Sequence, residues 1–259
     1  MAEILSSPQN PKIKELLALE KESRERKARG LFVVEGRREF ERAVAAGFEP
    51  VTVFVREDEA EADTADFVVT RRLYEKIAYR GGTEGIVAVL RTRETSLAQL
   101  PLSPVPLILV LESVEKPGNL GAVLRSADAA GVDAVLVCDP LTDLYNPNLV
   151  RASLGAVFSV PVVTCTSENA CSWLKAQGIA ILTAQLQDSE LYYETDMVRP
   201  TALVFGTEDK GLSDFWRERA DAHIRIPMAG MMDSLNISVS AAILAFEAVR
   251  QRNLKNLQR

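Results

Sequence analysis

The residues of this chain best suited to chemistry gather late, between Thr201 and Arg252. A short apolar run, Thr201–Phe205, ends at Gly206 and opens into Thr207-Glu208-Asp209-Lys210-Gly211. A second run, Ala222–Ile226, ends at Pro227 and opens into a loop that carries Met228, Gly230, Ser234, Leu235 and Asn236. Loops at the carboxyl ends of parallel strands are where open α/β sheets hold ligands. Glycines at 206, 211 and 230 allow backbone geometry and close approach that a Cβ blocks. The pattern predicts a pocket floor built largely from main chain, gripping its ligand between these loops and the start of the last helix. Either loop alone reads equally well as an ordinary turn; two in tandem, both dense in Gly and polar residues, favour a site.

Several chemistries are excluded at once. The sole histidine is His223, and nothing near it resembles a nucleophile elbow, so a Ser-His-Asp triad has no basis. Cys138, Cys165 and Cys171 form an odd set without metal-type spacing, so no metal is expected. Cys138, in an apolar strand, reads as a reduced core residue. No G-x-x-x-x-G-K-[ST] occurs, and the junction Glu115-Lys116-Pro117-Gly118-Asn119-Leu120-Gly121 lacks the G-x-G-x-x-G spacing of dinucleotide sites. In that junction Asn119 stands where a helix N-cap would be. Arg125 follows on a helix otherwise made of Leu, Val and Ala, with Asp128 at i+3 as a structural partner.

The elements that must position these groups form two domains. With 259 residues, 47% hydrophobic and 25% charged, the composition is that of a globular protein. No apolar run is long enough to cross a bilayer. The N-terminus lacks the basic-then-apolar order of a signal peptide, and a cytoplasmic location is expected. Residues 1–91 read as a small αβ domain: a helix over Pro11–Arg29 with a solvated, charge-laced second half, strands at Leu31–Val34, Val51–Val55, Phe67–Val69 and Gly85–Leu90, and helices at Arg37–Ala46 and Arg71–Ala78. Arg71, Arg72, Lys76, Arg80, Arg91 and Arg93 give it a basic excess suited to phosphates, against a whole-chain net charge of −6. Residues 92–106, with three prolines, read as a linker. Residues 107–259 alternate strands (Leu107–Glu112, Ala134–Cys138, Ser159–Thr164, Ile179–Ala184, Thr201–Phe205, Ala222–Ile226) with helices near Leu120–Ala130, Asn148–Ala152, Glu168–Gln177, Ser213–Glu218 and Val239–Arg252. Short apolar strands between helices predict an α/β fold with a parallel sheet covered on both faces.

The same residues carry a resemblance. Asn119-Leu120-Gly121-Ala122 through Arg125-Ser126-Ala127 is similar to the first motif of the SpoU (TrmH-type) RNA ribose 2′-O-methyltransferases of the SPOUT class. Phe205-Gly206-Thr207-Glu208 with Lys210-Gly211-Leu212-Ser213 resembles the second, and Ile226-Pro227-Met228 through Ser234-Leu235-Asn236-Ile237-Ser238 the third. The first domain, with Phe32–Gly36 and Gly85–Val89, is similar to the family's RNA substrate-binding domain. The resemblance implies S-adenosylmethionine as methyl donor, RNA (ribosomal or transfer) as substrate, a C-terminal trefoil knot and a homodimer without metal or membrane. By position, Gly206, Ile226, Met228 and Leu235 match cofactor-holding residues, and Asn119, Arg125, Glu208, Ser234 and Asn236 match the polar active-site set. The resemblance gives the residue at Arg125 the task of activating the hydroxyl. A guanidinium with a pKa above about 12 is a reluctant base, so stabilisation of the developing oxyanion and a neighbouring phosphate suits it better. A second reading of the whole chain is a non-catalytic RNA-binding or ribosome-assembly factor that keeps the fold; the intact motifs weigh against it.

Overall fold

A computed structural model describes residues 3–59, 65–78, 85–207 and 209–257. Glu208, Arg80 and the middle of the acidic stretch Glu57–Asp66 lie outside these residues. The chain forms two compact units, and the division is not a single cut: Met1–Arg93 joins Asp143–Ser159 in one, and Glu94–Thr142 joins Val160–Arg259 in the other.

The first unit holds β1 (Glu3–Leu5), α1 (Pro11–Lys21), α2 (Ser23–Arg29), β2 (Leu31–Glu35), α3 (Arg37–Ala45), β3 (Pro50–Arg56), β4 (Phe67–Val69), α4 (Arg71–Ile77) and β5 (Ile86–Arg91). Its sheet runs β1-β4-β3-β5-β2, with β5 antiparallel to both β3 and β2. Ile13, Leu16 and Leu19 of α1 and Leu73, Tyr74 and Ile77 of α4 share one buried cluster with Val33, Val87 and Val89 of the sheet. The second face is covered by residues far along the chain. In Asp143–Ser159, α6 (Pro147–Ser153) and α7 (Ala156–Ser159) frame an aromatic cluster. Tyr145 lies 4.4 Å from Phe32 and Phe158 lies 5.1 Å from Phe48 between ring centroids. The expected strand over Ser159–Thr164 is therefore shorter: Ala156–Ser159 is helical and the strand starts at Val162.

The expected single helix over Pro11–Arg29 is broken at Glu22, whose backbone is extended (φ −113°, ψ 112°). The last carbonyls of a helix lack partners within it. Arg26 supplies them, donating to Leu19 O at 2.6 Å and Glu20 O at 3.1 Å, while its Nε donates to Asp143 at 2.6 Å. Arg26 is 3% exposed, so the charged half of this segment is not all solvated, as its composition suggested. The basic excess is also partly committed: Arg71 pairs with Glu75, Arg91 with Glu49, and Arg93 donates to Ala46 O and lies over the Phe48 ring.

The second unit is a seven-stranded sheet. Its strands are β6 (Leu107–Glu112), β7 (Ala134–Cys138), β8 (Val162–Cys165), β9 (Ala180–Ala184), β10 (Glu190–Leu191), β11 (Thr201–Phe205) and β12 (Ala222–Arg225). The order is β10-β12-β9-β11-β6-β7-β8, and every pairing is parallel. The helices are α5 (Pro117–Ala130), α8 (Ser167–Ala176), α9 (Asp214–Arg219) and α10 (Ile237–Leu257). β6 and β11 are buried along their whole length, as strands covered on both faces must be. The inner face of α10 is Ile237, Ala241, Leu244, Ala245 and Ala248, small enough to seat it against α5 and the strands β6 and β11. The stripe Val239, Ile243, Phe246, Val249 is not the buried one: Val239 is 45% and Phe246 47% exposed. Arg252 fixes the far end of α10 by donating to the carbonyls of Val105, Pro106, Met197 and Arg199 at 2.9–3.1 Å. Cys138 and Cys165 are register partners on β7 and β8. Their hydrogen bond and burial hold the Cys138 thiol above its ordinary pKa, in keeping with a reduced core residue.

Burial, and then the negative charge of Glu35, push the Glu20 carboxyl up to about 7, against the opposing pull of Arg151 and Lys21. A carboxyl whose pKa is raised by folding binds more protons folded than unfolded, so stability falls as pH rises between the two values. The melting temperature of the protein should therefore drop as pH is raised from 5 to 8. Glu20→Gln should flatten that slope and melt higher than the parent at pH 8, by an amount on the order of 1–3 kcal/mol. Melting curves across pH check this; parallel slopes for the two proteins would refute the assignment.

Candidate active site at the carboxyl ends of β6 and β11

From β6 the chain crosses to β7 and β8 on one side, whereas β11 leads to β12 on the other. The loops after β6 and β11 thus diverge from neighbouring strands, the switch point at which open parallel sheets hold ligands. A cavity of about 610 Å³ lies there. Its walls are the loop after β6 (Glu112 to Lys116), Asn119 in the first turn of α5, Thr207 and Asp209 to Asp214 after β11, Arg217 of α9 and Ile237 of α10. This cavity pairs the loop after β11 with that after β6.

The loop after β11 is held by its own backbone. Thr207 and Gly211 exchange two hydrogen bonds, 3.1 and 2.9 Å, and Gly211 has φ +68°. A Cβ on Gly206 would overlap the backbone of Gly211 and Leu212. Glycine at 206 is required by this loop closure, whatever the ligand. Buried Glu112, at the end of β6, accepts from Ser213 N at 2.9 Å and Ser213 Oγ at 2.5 Å, which locks the loop to β6. Glu112 was absent from the sequence reading because it looks like the last residue of an ordinary strand; its only signal was a carboxylate closing an apolar run.

Two of the expected polar residues meet. Asn236 Nδ2 donates to Asn119 Oδ1 at 3.2 Å. Asn236 Oδ1 accepts from Ser238 N at 2.9 Å and Ser238 Oγ at 2.6 Å, capping α10. Asn119 is not itself an N-cap: α5 begins two residues earlier, with Pro117 at its first position and Lys116 before it. Proline is favoured there because its fixed φ suits a helix start and its missing N–H has no partner to lose. Asn119 lies in the first turn of α5 and lines the cavity. Arg125 lies further along α5 and is exposed. Ser234 is exposed on the loop before α10, and Ile226, Met228 and Leu235 are half-buried on the same loop. None of these four lines the cavity. Glu208 lies outside the described residues. His223 sits on β12, its Nδ1 2.6 Å from Thr183 Oγ1, a structural contact.

The loop after β12, which carries Ile226, Met228 and Leu235, has one further neighbour at the end of β9. Gln185, at the end of β9, bonds its N–H to Ile224 O at 3.0 Å, which sets it beside the start of that loop. Its side-chain Oε1 is shielded from solvent with no hydrogen-bond partner among the described residues. An orphaned acceptor just past β9, the strand that pairs with β12, fits a ligand that brings an N–H to it. Among the described residues no cluster of three metal-ligating side chains occurs, and no helix is long and apolar enough to cross a membrane.

A parallel sheet with a glycine-closed loop at its switch point and paired asparagines behind it defines an α/β ligand-binding domain of the methyltransferase kind. The chain belongs to the SpoU rRNA methylase family, whose model matches residues 106–246. An MRM3-like substrate binding domain matches residues 10–88. The 23S rRNA (guanosine-2′-O-)-methyltransferase RlmB of Yersinia pestis is 37% identical over 205 residues, 76% of this chain and 83% of the relative. A crystal structure of an RNA 2′-O ribose methyltransferase aligns with a TM-score of 0.85 at 40% identity, covering 96% of this chain and 99% of that one. The SpoU methyltransferase AviRb of Streptomyces viridochromogenes, in complex with AdoMet, aligns with a TM-score of 0.86 at 28% identity, covering 95% and 100%.

Three substitutions separate scaffold from site. Asn236→Asp keeps the cap and removes the donor to Asn119, so it should melt near the parent while losing methyl transfer. Asn236→Ala should lose both, with about 1 kcal/mol of stability. Gly206→Ala meets rigid backbone and should cost about 3 kcal/mol or more. Thermal melts beside an activity assay decide; an Asp variant with full activity would remove Asn236 from the site.

Proposed function

We propose that this chain transfers a methyl group from S-adenosylmethionine to a ribose 2′-hydroxyl of ribosomal RNA. The observation that supports the reading is the contact of two motif residues, Asn119 at the start of α5 and Asn236 before α10, in a chain of the SpoU family. Gly206, Ile226, Met228 and Leu235 hold the cofactor, chiefly through backbone. Bound S-adenosylmethionine supplies an electrophilic methyl on a good leaving group, so what remains is in-line placement of the 2′-oxygen and a destination for its proton. Arg125 donates to the oxygen as charge builds on it and to the adjacent phosphate. Asn119 and Asn236 orient the groups around it, and Glu208 and Ser234 complete the polar set. The first unit supplies RNA affinity.

The working form is a homodimer. The outer face of α10, with Val239 and Phe246 about half exposed, is the apolar surface that a second copy covers, and Arg125, exposed in the single chain, gains a drier setting from that partner or from RNA. The C-terminal part of the sheet forms a trefoil knot; in support, β11 lies between β9 and β6, and α10 packs back on α5.

Calorimetry should show S-adenosylmethionine binding that a chelator leaves unchanged. Arg125→Lys keeps the charge and loses the paired donors, so single-turnover methylation should fall by about 10²- to 10³-fold with cofactor affinity near that of the parent. A fully active Lys variant overturns the role given to Arg125, and a parent that binds no cofactor overturns the function. Light scattering should give twice the single-chain 28.4 kDa, and Phe246→Glu should return it toward one chain.

A further inference from the structure

We infer that Arg217, with Lys210, forms an oxyanion subsite in the cavity between β6 and β11, and that its ligand is a backbone phosphodiester of the RNA substrate. The inference rests on the methyltransferase reading and deepens it by assigning Arg217, which no family motif above includes, and by giving Lys210 of the second motif a phosphate to meet.

The carboxylate of Glu112 is spent on Ser213, so the deepest acid of the cavity is not available to neutralise a cation. Arg217 comes from α9 and Lys210 from the loop after β11, and both line the cavity. The guanidinium of Arg217 lies against Gly211: a Cβ there would come within 3.7 Å of its terminal nitrogen. The Nε of Arg217 is shielded from solvent and has no hydrogen-bond partner among the described residues. A buried N–H without an acceptor costs about 1–3 kcal/mol, and native proteins rarely leave one unmade. Its natural complement is an oxyanion, which accepts from a guanidinium with paired geometry. The cavity is roomy enough at about 610 Å³ for a nucleotide rather than a lone ion, and Val114, Leu141 and Ile237 give it an apolar wall. Asn119, at the same cavity, joins it to Asn236 at the start of α10. A phosphate held by Arg217 would thus lie on the substrate side of the motif residues. The cofactor's carboxylate is the other source of an oxyanion. Ile226, Met228 and Leu235, the residues assigned to the cofactor, do not line this cavity, and that favours RNA.

The test compares the full-length parent with Arg217→Gln and Lys210→Gln, measuring RNA KM, cofactor affinity by calorimetry and the salt dependence of RNA binding. Arg217→Gln should raise RNA KM about tenfold and reduce the slope of log affinity against log salt by about 0.7–0.9, the value of one lost phosphate contact. Cofactor affinity should stay at the parent's value. Lys210→Gln alters an exposed loop residue and should move RNA KM and slope in the same direction by less, so the inference stays testable if Arg217→Gln fails to fold. A ribonucleoside 3′,5′-bisphosphate should compete with RNA for the parent and less well for either variant. Unchanged RNA KM and salt slope in the folded variants, or weakened cofactor binding with RNA binding intact, would overturn the inference. A parent that neither binds cofactor nor methylates RNA would instead overturn the function proposed above.

Discussion

The site depends on one close approach of backbone to backbone. Gly206 leaves β11 so near Gly211 and Leu212 that no side chain fits. The loop between them is therefore a closed ring, pinned by the Thr207–Gly211 hydrogen-bond pair. Ring closure delivers Ser213 to Glu112, and the buried carboxylate then ties the ends of two adjacent strands together. A flexible loop would have to be ordered by each ligand, at an entropic cost per residue of about 1–2 kcal/mol. Here most of that ordering is done during folding, which is the condition for positioning a weakly nucleophilic hydroxyl.

The same logic extends to α10. Asn236 both caps the helix and reaches Asn119 in the first turn of α5. Helix start and site are one structure, so a change at either is felt at both. At the other end Arg252 satisfies four carbonyls from two segments of chain. Burial lowers the pKa of this guanidinium, yet its donors are all directed at backbone, as a half-buried cation without an acid partner requires.

The first unit uses buried charge differently. Arg26–Asp143 and Arg151–Glu35 join segments more than a hundred residues apart. Such pairs add little net stability because desolvation offsets attraction. Their value here is register: an aromatic cluster is indifferent to a small slip of Asp143–Ser159, whereas a guanidinium that must meet one carboxylate and two carbonyls is not. Glu20 shows the cost of crowding acids into that environment.

The sequence by itself determined most of the elements of the second unit. Strand periodicity located β6, β7 and β11 to the residue, since an unbroken apolar run bounded by Gly, Pro or charge has few alternatives. The motif resemblance brought forward Asn119 and Asn236, whose side chains meet, and Gly206, whose loop closure tolerates no Cβ. What only tertiary structure decided was which surfaces meet. Each face of α10 is apolar, and periodicity cannot tell Ala241 and Leu244, which are buried, from Val239 and Phe246, which are not. Asp143–Ser159 reads as part of the second domain, yet its aromatic residues complete the first. Glu112 and Arg217 carry no local mark of a site; one becomes a lock and the other an N–H without an acceptor only because parallel pairing sets β6 beside β11 across nearly a hundred residues of chain. Local preference acts over a few residues, and long-range pairing is fixed by burial of the whole sheet, which no single stretch of sequence contains.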